Sequence, residues 1–373
     1  MNPFDYRPRT RILFGAGEFS RLGEVARELG GTRCLVVADP GMVDAGYVRD
    51  ATRSLKARRM DVYAFHDFSA GPSLDSVTAG VAYAAPHGID LVVGLGGGSS
   101  LDCAKAINLV LSNGGNIADY RGYGKAQKPL LPMIAVPTTA GTGSESQSDV
   151  WLTYPSSKSR INIGDTKMTY RVALLDPKLT LTQKPEQAAA AGFDAISHAL
   201  ETLWSPKRTP ISECFSREAW RLLNGNFSRC VRVPEDLEAR GAVQLGSHLA
   251  GLAVEYSSLG ATHALAHALT ASCGIGHGVA IALMLPHVVK WYQEAWTQEG
   301  ANSGLLVEDS LELDARLRDL AGAAELPRTL RDASVPEGML PRLADEAAAE
   351  WSARYSARPF DSAAAFELFK AAW

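Results

Sequence analysis

Three things are scarce in this sequence, and each scarcity removes a class of answer. Cysteines number five, at positions 34, 103, 214, 230 and 273, an odd count with no C-x-x-C pair. That disfavours a disulfide framework and a thiolate metal site, and reduced thiols are expected. Long apolar runs are missing: no stretch reaches the roughly 18 residues that a membrane span needs. Met1 to Arg11 carries no apolar signal core either, so a cytoplasmic chain with no membrane partner is expected. Excess charge of one sign is also missing. The net charge is −4 with no long charge run, which does not favour a nucleic-acid partner.

What is present is apolar and patterned. With 373 residues and 46% hydrophobic content the chain is long enough for two domains and a sizeable core. In the first half, apolar runs alternate with helical patterns. Strands are expected at Arg11–Phe14, Cys34–Ala38, Asp61–Phe65, Ile89–Gly94, Met133–Val136 and Val172–Leu175, with helices near 18–29, 43–58 and 76–85. Such alternation predicts an α/β domain with a doubly wound, Rossmann-like parallel sheet. Trp151–Tyr154 and Arg160–Ile163 read as a hairpin across the polar turn Pro155–Ser159. After Pro185 no strand pattern remains, so the expected division is an α/β domain over 1–183 and an all-helical domain over 184–373.

Two loops follow two of these strands. Gly96-Gly-Gly-Ser-Ser-Leu-Asp-Cys-Ala-Lys105 brings three consecutive glycines to a helix start, where backbone can approach a pyrophosphate and meet it with free N–H groups. It is neither G-x-G-x-x-G nor a Walker A loop, and a tight strand–helix turn explains the glycines as well. Pro137-Thr-Thr-Ala-Gly-Thr-Gly-Ser-Glu145 adds four hydroxyls and two glycines. Both loops would lie at the carboxyl edge of one sheet, where open α/β sheets bind ligands. Asp39 ends another strand. It reads either as a turn-former before Pro40 or as an acceptor for a ribose hydroxyl, and as the latter it would repel a 2′-phosphate and favour NAD over NADP.

The second half holds six of the eight histidines, between 198 and 287. Asp194 and His198 are four apart on an expected helix over 185–204, and His263 and His267 are four apart on another, so each pair projects from one face. His277 follows a loop with Gly274 and Gly276, and Gly278 allows close packing. A carboxylate with imidazoles suits a borderline divalent ion such as Fe²⁺ or Zn²⁺ and not Ca²⁺ or Mg²⁺. A lone histidine is ordinarily core or surface, as His66, His87, His248 and His287 are read here. Position 264 is alanine, which excludes the H-E-x-x-H protease motif. There are more histidines than a site with Asp194 needs, and spacing leaves open which is spare.

Together, G-G-G-S-x-x-D-x-A-K at 96–105, P-T-T-A-G-T-G-S-E at 137–145, D-A-x-x-H-A-x-E at 194–201 and H-A-x-x-H…H-G at 263–278 resemble the iron-containing (group III) alcohol dehydrogenases, over roughly residues 10–295. The resemblance implies a dehydroquinate synthase-like architecture: a dinucleotide-binding α/β domain, an all-α domain and an active site in the cleft between. It implies metal ligands Asp194, His198, His263 and His277, and leaves His267 beside substrate and nicotinamide as a proton relay. For NAD it implies Asp39, Gly96, Gly97, Gly98, Ser99, Asp102, Thr138, Thr139, Thr142 and Ser144, with Arg160 where relatives carry a lysine. Lys105 belongs to the motif but is read as packing against the loop. The expected reaction is hydride transfer between a small alcohol or aldehyde and NAD, with Fe²⁺ or else Zn²⁺. A homodimer or higher homo-oligomer is expected. Two other readings are a lyase resembling dehydroquinate synthase, which uses NAD transiently, and a non-catalytic NAD- or metal-binding regulator. Trp151, Phe193, Leu259 and Cys273 stand near the motifs as a candidate substrate lining.

Overall fold

A computed structural model describes residues 2–68, 71–154, 160–298 and 312–373, the side chains of 160 and 295–298 excepted. The chain divides into two compact units, Arg7–Gln183 and Lys184–Trp373, the second also taking Met1–Tyr6.

In the first unit, six strands form one parallel sheet: β1 (Arg11–Phe14), β2 (Arg33–Ala38), β3 (Asp61–Phe65), β4 (Leu91–Gly96), β6 (Met133–Pro137) and β9 (Val172–Leu175), in spatial order β1-β9-β6-β4-β2-β3. The helices among them are α1 (Leu22–Glu28), α2 (Pro40–Asp44), α3 (Tyr47–Lys56), α4 (Leu74–Ala84) and α5 (Gly98–Asn113). The central strands are apolar without interruption because both faces are covered. Leu35, Val37 and Val92 pack into one core, and Val36, Ala38, Val93 and Leu95 into the other. β5 (Gly122–Tyr123), β8 (Arg160–Gly164) and β7 (Asp149–Thr153) make a second sheet, with β7 and β8 the expected antiparallel hairpin. The helix expected over 43–58 is two: Gly46, in a left-handed conformation at φ 80°, ends one and starts the other.

The register decides where the loops go. The chain leaves β2 toward β3 on one side and returns across it to β4 on the other, so β2 and β4 flank the point where strand order reverses. Ala38 pairs with Leu95, and Gly96 pairs with Pro137. The loops after β2, β4 and β6 therefore emerge side by side at the carboxyl edge, the ligand edge of such sheets.

The second unit is helical: α6 (Pro185–Trp204), α7 (Pro210–Arg232), α8 (Leu237–Glu255), α9 (Ala261–Cys273), α10 (His277–Gln298), α11 (Leu313–Ala323), α12 (Leu340–Ala349) and α13 (Ser362–Ala372). Pro185 occupies the first turn of α6, where its missing N–H costs nothing. α6 is buried almost throughout, from Gly192 to Trp204 without a break. Phe193 is fully buried and meets Phe227 edge-on, so it belongs to the core and lines no substrate site. α9 ends at Gly274, left-handed at φ 70°, and α10 begins three residues later. None of the described helices is long and apolar enough to cross a membrane.

Candidate functional site

In the helical unit, α6, α9 and α10 bring four side chains to one point. The Nε2 atoms of His198, His263 and His277 each lie 3.5 Å from Oδ1 of Asp194. The ligand atoms of Asp194, His263 and His277 are all within 4.8 Å of one another. The approach is possible because Gly278 has no side chain: a Cβ there would sit 2.0 Å from the Ala190 carbonyl oxygen of α6. Asp194 and His263 are 4% and 2% exposed, and Asp194 Oδ1 and His263 Nε2 are buried with no hydrogen-bond partner among the described residues. Buried polar atoms normally find partners. Donors bound about 2.1 Å from a common tetrahedral centre stand about 3.4 Å apart; the three spacings to Asp194 Oδ1 match that, and Asp194, His263 and His277 form a group compact enough for a divalent cation, with His198 joined to it through Asp194.

The electrostatics agree. Burial alone would raise the Asp194 carboxyl, but the imidazoles of His198, His263 and His277 outweigh it and hold the group well below the usual carboxylate range. His198 is pulled down to about 4 by burial. His263 is buried too, yet Asp194 and Glu201 raise it to about 9.

Around this point stand two carboxylates to which sequence reasoning gave no role. Glu201 Oε2 lies 2.5 Å from His263 Nδ1, and its Oε1 accepts the Thr262 N–H at 2.7 Å. The signal was legible: 194, 198 and 201 follow i, i+4, i+7 on α6 and share one face. Glu350, just past α12, places Oε2 3.3 Å from His267 Nδ1, a contact that no local pattern announces. His267 itself stacks on His277 with ring centroids 5.2 Å apart. Burial pulls it down to about 4, Glu350 opposing.

The α/β unit gathers the residues of its two loops. Gly96, at φ 141°, lies where a Cβ would come within 2.5 Å of Ser100 Oγ and 2.9 Å of Asp39 Oδ2. Ser100 donates to that Asp39 oxygen at 2.9 Å and accepts the Asp39 N–H at 3.2 Å, a tie that sequence reasoning missed. A Cβ on Gly97 would reach Thr139 at 3.3 Å, and one on Gly98 would reach Thr142 Oγ1 at 2.8 Å and Ser144 Oγ at 3.2 Å. The glycines thus admit the second loop against the first. α5 starts at Gly98, and its first N–H groups have no intrahelical acceptor. Ser99 accepts the Gly71 N–H at 3.1 Å, and Thr138 turns its hydroxyl to Met42 Sδ at 3.3 Å.

Beneath the loops, Asp102 Oδ2 accepts the Trp151 N–H at 3.2 Å. Burial pushes its carboxyl up to about 6 against the pull of Lys105. Lys105, fully buried, donates to the carbonyls of Gln147 and Asp149 at 2.9 and 3.0 Å. It holds loop backbone, in keeping with its reading as a packing residue. Arg160 is the first residue of β8, paired with Thr153; its side chain lies outside the described residues.

The sequence profile of iron-containing alcohol dehydrogenases matches residues 8–177, and the profile of that family's C-terminal region matches residues 188–373. The NAD-dependent methanol dehydrogenase of Bacillus methanolicus is 32% identical over 327 residues, covering 87% of this chain and 86% of that protein. The 1,3-propanediol dehydrogenase of Citrobacter freundii is 31% identical over 382 residues, covering 99% of each. A solved structure of a 1,3-propanediol oxidoreductase superposes with a TM-score of 0.92 at 30% identity over the whole of both chains.

Proposed function

The chain belongs to the iron-containing alcohol dehydrogenase family and is a nicotinamide-linked alcohol dehydrogenase, and we propose that Asp194, His198, His263 and His277 hold its metal. The observation that carries the assignment is the equal 3.5 Å spacing of three imidazole nitrogens about one buried carboxylate oxygen. Three neutral nitrogens and one carboxylate suit Fe²⁺, the family's metal, and would accept Zn²⁺. When bound, such an ion supplies Lewis-acid polarisation of the alcohol or carbonyl oxygen. The substrate class is a small primary alcohol or its aldehyde, as in the methanol and propanediol enzymes named above.

The remaining work falls to side chains. His267 handles the hydroxyl proton: its Nδ1–H points at Glu350, which leaves Nε2 as the acceptor, and the imidazole is neutral at working pH because burial holds it near 4. Glu350 is 31% exposed and connects that imidazole to solvent. NAD is held by Asp39, by Gly96, Gly97, Gly98 and Ser99, by Asp102, by Thr138, Thr139, Thr142 and Ser144, and by Arg160. The Asp39 carboxylate, kept at the end of β2 by Ser100, favours a free ribose hydroxyl over a 2′-phosphate. Hydride passes reversibly between the alcohol carbon and the nicotinamide.

The test is anaerobic loading with Fe²⁺ followed by a panel of small alcohols, read as NADH formation at 340 nm. Loss of His263 is expected to abolish metal binding, and loss of His267 to slow turnover with metal retained. Loss of metal from His267→Ala would overturn the ligand assignment.

A further inference from the structure

Glu201 shares the buried face of α6 with Asp194 and His198 but does not join them. Its side chain is 1% exposed, and both oxygens are spoken for: Oε1 by the Thr262 N–H at 2.7 Å, Oε2 by His263 Nδ1 at 2.5 Å. An ionised carboxylate only accepts hydrogen bonds. The proton of the second contact therefore sits on His263 Nδ1, which leaves Nε2, 3.5 Å from Asp194 Oδ1, as the atom that would ligate a metal. The other two imidazoles lack this support: Nδ1 of His198 and Nδ1 of His277 are buried with no hydrogen-bond partner among the described residues. His263 is the member of the trio whose tautomer the protein dictates.

We infer that Glu201 is a positioning residue that locks His263 in its Nδ1–H tautomer and thereby sets the affinity of the site for a divalent metal. The inference rests on the metal assignment above. The charge count supports it: Asp194 and Glu201 carry two negative charges, equal and opposite to a divalent ion, inside a region where an unbalanced charge is costly. A carboxylate behind a ligating imidazole also raises the basicity of the ligand nitrogen, and losing such a partner commonly lowers metal affinity 10- to 100-fold.

Glu201→Gln separates this role from packing. The variant is isosteric. Its single side-chain oxygen must stay with the Thr262 N–H, because an NH₂ group facing that backbone donor would leave both unpaired. The NH₂ then faces His263 Nδ1 and makes it an acceptor, which puts the imidazole proton on Nε2, aimed at the metal position.

Zinc affinity is measured for wild type, Glu201→Gln and Glu201→Ala by competition with a chromophoric chelator, alongside melting of the metal-free proteins. We expect Glu201→Gln to bind zinc 10- to 100-fold more weakly than wild type, at least as weakly as Glu201→Ala, while its metal-free melting temperature stays within a few degrees of wild type. A purely structural role predicts the reverse order, Glu201→Gln near wild type and Glu201→Ala impaired, and that result overturns the inference. A wild-type protein that binds no divalent metal sinks the metal assignment, and this inference with it. Should Glu201→Gln not fold, nitrogen-resolved histidine NMR of zinc-loaded wild type decides the matter. A slowly exchanging proton on His263 Nδ1 upholds the inference, and its absence there refutes it.

Discussion

Alanine at position 278 tests the packing that assembles the metal point. Gly278 lies at the start of α10, and a Cβ built there would stand 2.0 Å from the oxygen and 2.5 Å from the carbon of the Ala190 carbonyl. Ordinary contact needs about 3.4 Å or more, and the obstacle is helix backbone, so α6 and α10 must part by about 1.4 Å. Ala190 is one turn before Asp194, and His277 immediately precedes Gly278, so the gap opens between Asp194 Oδ1 and His277 Nε2, now 3.5 Å apart. Metal–ligand distances tolerate about 0.2 Å, several-fold less than the shift. Overpacking of this kind costs about 1–3 kcal/mol, or about 2–4 °C of melting temperature per kcal/mol in a domain of this size. Gly278→Ala should therefore melt several degrees lower and hold its metal at least about tenfold more weakly. Gly276→Ala, two residues away, is the control, since a Cβ there meets only a Val279 methyl at 4.0 Å. Metal content after dialysis against graded chelator, together with thermal melts, reads both effects. A Gly278→Ala protein with wild-type metal retention and melting temperature would refute the reasoning.

The loops of the α/β unit give two further expectations. Asp102, held near 6 instead of its ordinary 3.8, binds more protons folded than unfolded between those values, so stability falls as pH rises through about 4 to 6. Asp102→Asn should therefore stabilise the cofactor-free protein by up to about 3 kcal/mol at pH 8, with the gain gone by pH 4, while NAD binding weakens. Denaturant melts across pH check it, and a gain independent of pH would count against it. Gly98→Ala presses a methyl to 2.8 Å from Thr142 Oγ1. The threonine can rotate, so stability should change by less than about 1 kcal/mol, but the loop shifts. NADH affinity by fluorescence titration should fall about tenfold, equivalent to about 1.4 kcal/mol, with metal content unchanged.

Much of this was legible along the chain because it is local. Strand and helix periods mark every strand of the parallel sheet, and the end of the strand pattern marks where helices take over. The spacings 194/198 and 263/267 place side chains on helix faces. Strand boundaries near glycine were less exact: the strand expected at 89–94 lies at Leu91–Gly96, because pairing with β2 and β6 sets its ends and glycine gives no local signal against continuing.

Other features exist only once distant segments meet. Two histidines of one helix, His263 and His267, are equivalent by spacing, and α6 separates them: His263 Nε2 stands 3.5 Å from Asp194 Oδ1, while His267 turns its Nδ1 toward Glu350, 83 residues along. Ser100 reaching Asp39 and Lys105 reaching two carbonyls of a later loop are of the same kind. So is the depressed affinity of His267 for its proton, which comes from burial by helices that no neighbouring residue foretells.

The metal point at the junction of α6, α9 and α10 shows where the division falls. By itself the sequence determined the donor types and the helix faces that carry them, since both follow from residue chemistry and a 3.6-residue period. The tertiary structure decided which nitrogens converge, which proton Glu201 fixes on His263, and how closely two helices pack at Gly278. Those depend on the close approach of groups far apart in the chain, and tenths of an ångström there determine whether a metal can be held.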